Sequence, residues 1–287
     1  MSPPVNPPPR MVSGTLAAKR AALDAGLESL RPVVIAYSGG VDSTFLAAAA
    51  HEVLGEDCVA VTAASPSLAE RALRKASAVA AASGWNHVVV QTRELERERY
   101  ARNAPDRCYW CKTELFEVLA PIAERRRARI AVGTNADDLS DFRPGIEAAR
   151  ERGVCAPLAD AGLTKADVRG LSAEMGLVTA NQPASPCLAS RFAYGVRVTE
   201  EGLRRIDRAE EALRALGFDV LRVRDHGDLA RIEVPVSEIE RVAGLRAEIA
   251  ARLLALGFRY VTLDLEGFRS GSLNEVFAAP RIRRHGP

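Results

Sequence analysis

The chain has 287 residues, enough for about two domains of ordinary size. Apolar residues make up 47% and charged residues 26%, which excludes wholesale disorder, and no apolar run approaches the roughly 20 residues of a membrane span. The 39 basic residues, only four of them Lys, are offset by 37 acidic ones, and a net charge of +2 argues against a protein whose main work is coating nucleic acid.

Five of the first nine residues are Pro and no apolar leader core follows, so residues 1–12 read as a disordered tail and not a secretory signal. The run VVIAY at 33–37 has the continuous apolar character of a strand buried on both faces. The turn SGGVDS follows it, then an Ala-rich helix from Thr44 to about Leu54, ended by Gly55. CVAVT at 58–62 predicts a second strand. Ser67-Leu-Ala-Glu70 has the form of a capping box opening a helix that runs to Ser83 and stops at Gly84. A third strand is predicted at 88–91, a helix over 112–127, and a fourth strand at 129–132 that ends at Gly133-Thr134-Asn135. Strands alternating with helices predict an α/β fold, a doubly wound parallel sheet covered on both faces. Ligands in such sheets sit at the carboxyl ends of the strands, so the loops after Tyr37, Thr62 and Val132 are the expected site. A further helix, capped by Thr164, is predicted over about 165–175. These elements place a first domain at 13–185 and a smaller α+β domain at 186–287. The second carries a weak repeat: LRALGFDVLRV from Leu213 and LLALGFRYVTL from Leu253 each read as a helix end, a Gly stop and a strand.

The hexapeptide Ser38-Gly39-Gly40-Val41-Asp42-Ser43 joins a buried strand to a helix N-terminus. Its glycines let backbone N–H groups approach an anion, Ser38 and Ser43 add hydroxyls, and the helix end adds partial positive charge. That is the chemistry of a pyrophosphate cradle, and it is neither a GxxxxGK[ST] loop nor a GxGxxG turn. Asp42 does not bind an anion directly; ordering the loop or holding Mg²⁺ are its two expected roles. Asp137 and Asp138 are expected near the same crevice, as ligands or as a solvated turn.

Five cysteines in a chain without a leader suggest a reducing, cytoplasmic setting. Cys58 and Cys155 lie in apolar surroundings and read as core. Cys108-Tyr109-Trp110-Cys111 and the distant Cys187 admit three readings: structural zinc short of one ligand, a redox dithiol, or a three-thiolate iron–sulfur site with one iron open to an external ligand. Arg222 and Arg224 alternate on a predicted strand, so both guanidinium groups leave one face and suit a phosphate. Arg191 and Arg269 are further anion-binding candidates.

The SGGVDS string resembles the signature of the PP-loop ATP pyrophosphatases, which implies cleavage of ATP between its α and β phosphates with Mg²⁺ assisting. The resemblance tightens with RCYWCK, GTNADDLSDFRPG, PASPCLASRFAYG, RVRDHGDLARIEVP and YVTLDLEGFRSG, which together look like the LarE family over about 16–272. That likeness implies an ATP-dependent sulfur insertase of nickel-pincer nucleotide synthesis, acting on pyridinium-3,5-biscarboxylic acid mononucleotide. It implies that residues 38–43 and Thr134 bind ATP and that Arg222 and Arg224 serve the substrate phosphate, with Arg191 expected at the substrate carboxylate or phosphate and Arg269 at an anion of the substrate. It also implies a divalent metal at Glu210 and Glu233 near a subunit interface, a homo-oligomer, and other nickel-pincer synthesis proteins as partners. Cys108, Cys111 and Cys187 match the branch that holds a [4Fe–4S] cluster, whereas the other branch sacrifices one cysteine, here Cys187. A PP-loop tRNA thiolase is the nearest rival, but zinc-ribbon pairs and a basic RNA platform are missing from the sequence, and neither nucleic acid nor membrane is an expected partner. A nucleotide sensor without turnover leaves the three cysteines without a purpose.

Overall fold

The computed structural model describes residues 14–140, 144–183 and 186–269, so the expected tail at 1–12 lies outside the described residues. The chain divides into two compact units, Met1–Ala101 with Pro105–Pro186, and Arg102–Ala104 with Cys187–Pro287. Among the described residues no helix is long and apolar enough to cross a membrane.

The first unit is built on four parallel strands, β1 (Val33–Ala36), β2 (Cys58–Ala64), β3 (His87–Gln91) and β4 (Arg129–Val132), in the order β3-β2-β1-β4. The alternation inherent in a strand sends Val33 and Ile35 to one face of the sheet and Val34 to the other. On the first face pack α1 (Leu16–Leu30), α2 (Val41–Leu54) and α8 (Lys165–Glu174), contributing Leu23, Leu27, Phe45, Leu46 and Val168. On the second pack α5 (Arg107–Arg126) and α6 (Pro144–Glu151), through Phe116, Leu119 and Ala148. Residues Ala47, Ala48, Ala49 and Ala50 of α2 are all buried, and their small side chains let this helix sit deep among its neighbours. Helices α3 (Glu70–Ala82), α4 (Glu98–Ala101) and α7 (Pro157–Asp160) complete the unit. The chain winds outward from β1 to β3 and then returns to place β4 on the other side of β1. The strand order therefore reverses between β1 and β4, and a crevice at their carboxyl ends is where ligands of open α/β sheets bind.

The second unit is a three-stranded sheet, β5 (Arg222–His226), β6 (Leu229–Glu233) and β7 (Tyr260–Leu263), with β5 antiparallel and β7 parallel to β6. Helices α9 (Glu200–Arg214), α10 (Ile239–Gly244) and α11 (Arg246–Leu254) belong to it. The repeat takes the expected form. Gly217 (φ 85°) and Gly257 (φ 94°) occupy equivalent left-handed positions after α9 and α11, and Phe218 and Phe258 beside them enter one core with Leu213 and Leu253.

Two local expectations give way to tertiary contacts. Ser67 does not cap α3, which starts at Glu70 with no side-chain cap bond. Its buried hydroxyl pairs instead with that of Tyr100 at 2.6 Å. Helix α5 begins at Arg107, not Lys112, so Cys108 lies in its first turn and Cys111 at the start of its second, rather than before it.

Candidate functional site

The turn after β1 is shaped by two close approaches. Gly39 has φ 73°, and a Cβ there would stand 2.8 Å from Cβ of Ala76 on α3. Gly133, just past β4, is pressed against the same turn from the other side: its Cβ would lie 2.8 Å from Ser43 N and 3.0 Å from the carbonyl carbon of Asp42. Gly40 is the N-cap of α2 and provides no side-chain cap, so the first N–H groups of the helix point out of its end as anion donors. The hydroxyls of Ser38 and Ser43, expected as donors to an anion, bond to one another within the loop. Ser43 Oγ accepts from Ser38 N at 3.2 Å, lies 3.0 Å from Ser38 Oγ and donates to the Gly40 carbonyl at 3.2 Å. These bonds tie the two serines into the loop.

Asp42 is held at both carboxylate oxygens. Asn135 Nδ2 donates to Oδ1 at 3.2 Å, and the Lys165 ammonium pairs with Oδ2. Asn135 is 2% exposed and is itself fixed, because its Oδ1 accepts from the N–H groups of Asp137 (3.0 Å) and Asp138 (3.3 Å). Asp138 accepts from Asn135 N at 3.1 Å, and Asp137 accepts from Lys165 N at 2.8 Å. The carboxylates of Asp137 and Asp138 therefore hold backbone N–H groups of this turn and of α8. Thr134 is half-buried, with its carbonyl accepting from Ala159 N at 3.1 Å. Neither Asn135 nor Lys165 was singled out from the sequence, where nothing links Lys165 to a residue 123 positions earlier.

Cys108 is exposed and Cys111 half-buried, three residues apart on one face of α5. Trp110 between them donates its indole N–H to Asp106 at 2.9 Å and lies 4.6 Å beneath the Arg99 guanidinium. Gly145 brings α6 close to α5, where a Cβ would stand 3.0 Å from Lys112 Cγ. Cys58 and Cys155 are core, as expected; burial pushes the Cys58 thiol up to about 12 and raises that of Cys155. The half-buried Cys187 opens the long stretch of the second unit, before a short helical turn at Leu188–Arg191, and its carbonyl accepts from Ser190 and Arg191. Among the described residues no three His, Cys, Asp or Glu side chains are gathered closely enough to hold a metal ion. The donor chemistry still suits iron and sulfide, since the three thiols outside the core are those of Cys108, Cys111 and Cys187.

The arginines of the second unit are mostly engaged. Arg191 makes two bonds to Glu210, at 2.8 and 3.3 Å, and Arg214 adds a third at 2.8 Å. Burial works to raise the Glu210 carboxyl, but Arg191 and Arg214 hold it below the ordinary carboxylate range. Arg224 makes two bonds to Glu233, at 2.8 and 3.0 Å, and one to the Ser190 carbonyl at 2.6 Å. Both carboxylates expected to take a divalent metal are thus ion-paired to guanidinium groups. Arg269 pairs with Glu266 at 2.9 Å. Arg222 stands apart. It is buried against the ring of Phe268 and, among the described residues, has no carboxylate within ion-pairing distance. Burial, then Arg191 and Arg224, lower its pKa to about 10.

A parallel α/β sheet whose switch point carries an N–H-lined SGGVDS turn defines the class: an ATP-cleaving domain of the PP-loop type, and the asparagine synthase family matches residues 17–126. The chain is 39% identical over 270 residues to the pyridinium-3,5-bisthiocarboxylic acid mononucleotide synthase of Lactiplantibacillus plantarum, spanning 93% of this chain and 98% of that one. It is 46% identical over 264 residues to an uncharacterized protein of Synechocystis sp., spanning 88% and 98%. An uncharacterized protein of Methanocaldococcus jannaschii is 32% identical over 241 residues, spanning 84% and 92%. The chain belongs to the LarE family, the ATP-dependent sulfurtransferases of the PP-loop class.

Proposed function

We propose that the protein uses ATP to convert carboxylates of a pyridinium-dicarboxylate mononucleotide into thiocarboxylates, a step in making a nickel-pincer nucleotide. The observation that carries this reading is the 39% identity, over nearly the full length of both chains, to a synthase named for that product. The chemistry runs in two displacements. A substrate carboxylate oxygen attacks the α-phosphorus of Mg-ATP, the bond to the β-phosphate oxygen breaks, and pyrophosphate leaves. Backbone N–H groups at Gly39, Gly40 and the first turn of α2 meet the charge that develops on the leaving group. They are held in place before the reaction by the Ser38–Ser43 lock and by Gly133, so the transfer costs little reorganisation. A sulfur nucleophile then attacks the carbonyl of the acyl-adenylate, and AMP departs with the former carboxylate oxygen.

Cys108, Cys111 and Cys187 are the residues to hold a [4Fe–4S] cluster, which supplies sulfur at the sulfide oxidation level when bound. Arg222, buried and short of a counter-charge, is the guanidinium best suited to the substrate phosphate. The test is anaerobic reconstitution with iron and sulfide, followed by mass analysis of the nucleotide formed with ATP. A thiocarboxylate product and unchanged protein mass support the cluster reading. A product accompanied by conversion of Cys187 to dehydroalanine replaces it with the sacrificial route, and absence of a sulfurated nucleotide both with and without reconstitution refutes the function.

A further inference from the structure

Asp42 stands where a carboxylate ought to hinder anion binding. It is the second residue of α2, beside the N–H groups of the phosphate loop, and an acidic side chain in a first helical turn is drawn to those same donors. Here it is drawn the other way, by Asn135 on one oxygen and by Lys165 on the other. Lys165 is one of only four lysines among 39 basic residues, and it is anchored with care. Its own N–H is fixed by Asp137, and it begins a helix closed by a reciprocal Thr164–Asp167 capping box. Asp167 in turn pairs with Lys19 of α1 at 2.6 Å, a contact that holds its carboxyl below the usual range. The Lys165 and Asp42 side chains are 38% and 23% exposed, and an ion pair so open to water adds little to stability. Stability does not account for this arrangement; the charge that Lys165 brings to Asp42 does.

We propose that Lys165 is a positioning residue for ATP: it draws the Asp42 carboxylate off the loop's N–H donors and cancels its charge, so that an entering polyphosphate meets donors and no uncompensated anion. Asn135 shares the positioning but brings no charge, and Asp137 acts through the Lys165 backbone. The inference rests on the loop being the ATP site and is independent of which carboxylate is sulfurated.

The test is a double-mutant cycle on the full chain, with binding of a non-hydrolysable Mg-ATP analogue read by calorimetry and each variant's fold checked by its melting curve. Lys165→Met is expected to weaken binding about 10-fold or more, as an uncompensated like charge does at a binding site. Lys165→Arg keeps the charge and is expected to stay within about 3-fold of wild type. In an Asp42→Asn background, Lys165→Met is expected to have almost no further effect, an outcome that a lysine acting directly on the phosphates does not produce. Equal weakening by Lys165→Met in both backgrounds overturns the proposal, because the lysine then acts on the phosphates or on the fold. Equal damage from the Met and Arg variants overturns it as well, and so does an unaffected Lys165→Met. Wild-type protein that takes up no nucleotide removes the ATP site itself and the inference with it.

Discussion

Replacing Gly133 by Ala puts one methyl group between the end of β4 and the phosphate loop. The added Cβ would lie 2.8 Å from Ser43 N, 3.0 Å from the Asp42 carbonyl carbon and 3.1 Å from Ser43 Cα, where ordinary contact begins at 3.4 Å. All three atoms are backbone of α2, whose first turn is held by the Thr44 N to Gly40 O bond at 2.9 Å and by the buried Val41 and Phe45. No side chain can swing away, so the loop or the strand end must move by about 0.6 Å at the tightest contact. Overpacking of this kind costs about 1–3 kcal/mol, and a domain of this size loses about 2–4 °C of melting temperature per kcal/mol. Where the loop takes up the displacement, its N–H groups are carried by up to about 0.6 Å from the positions that meet a phosphate oxygen at hydrogen-bond distance, so ATP affinity is expected to fall about 10-fold or more. The assay pairs calorimetric ATP binding with a melting curve, and Gly26→Ala serves as control. Gly26 lies within α1 with nothing inside 4 Å of its Cβ position, so Ala there is expected to stabilise by about 0.5–1 kcal/mol. A Gly133→Ala protein that melts with wild type and binds ATP unchanged refutes the claim that this close approach shapes the cradle.

Glu233→Gln leaves the buried Arg224 facing a neutral amide, and the loss is expected to be about 3–5 kcal/mol in urea unfolding, while Arg224→Met with Glu233→Leu recovers most of it. Mild alkylation of native protein near neutral pH is expected to label Cys108, Cys111 and Cys187 and to spare Cys58 and Cys155, as peptide mapping can check. His51 gives a pH signature. Its Nε2 accepts from Asn86 N at 3.0 Å, its Nδ1 therefore donates to the Ala47 carbonyl, and burial lowers its pKa below 6.5. The unfolded chain takes up the proton first, so this contribution is complete above about pH 6.5 and is lost as pH falls toward the folded value, at up to about 1.4 kcal/mol per pH unit. Urea titrations at about pH 7 and about pH 5.5 should show a smaller acid loss in His51→Gln, and an identical loss contradicts the assignment.

The parts of this fold that could be read from sequence are those whose signals are local. VVIAY followed by SGGVDS gave strand, turn and helix because apolar burial, two glycines and a helix start fall within a few residues. The two Leu-Gly-Phe repeats were legible for the same reason. The site's charge arrangement was not. Arg222 and Arg224 do share a strand, but Glu233 claims Arg224 and leaves Arg222 to Phe268, and alternation cannot show which arginine finds a counter-ion. Ser67 was misread because a tertiary partner, the Tyr100 hydroxyl, outcompetes the local cap. The first turn of α5 was missed because Asp106 turns its carboxylate to the Trp110 indole and leaves no capping bond to mark the helix start.

The three residues Arg102–Ala104 belong to the unit otherwise formed after Pro186. Within that unit Asn103, fully buried with φ 57°, spends its amide on the carbonyls of Ala193 (2.7 Å) and Val196 (3.0 Å). A gene fragment starting at Cys187 would therefore encode a half with a missing peg, the Ala193 and Val196 carbonyls short of their donor. Anyone dissecting this molecule by truncation, swapping or circular permutation has to carry that asparagine across the cut.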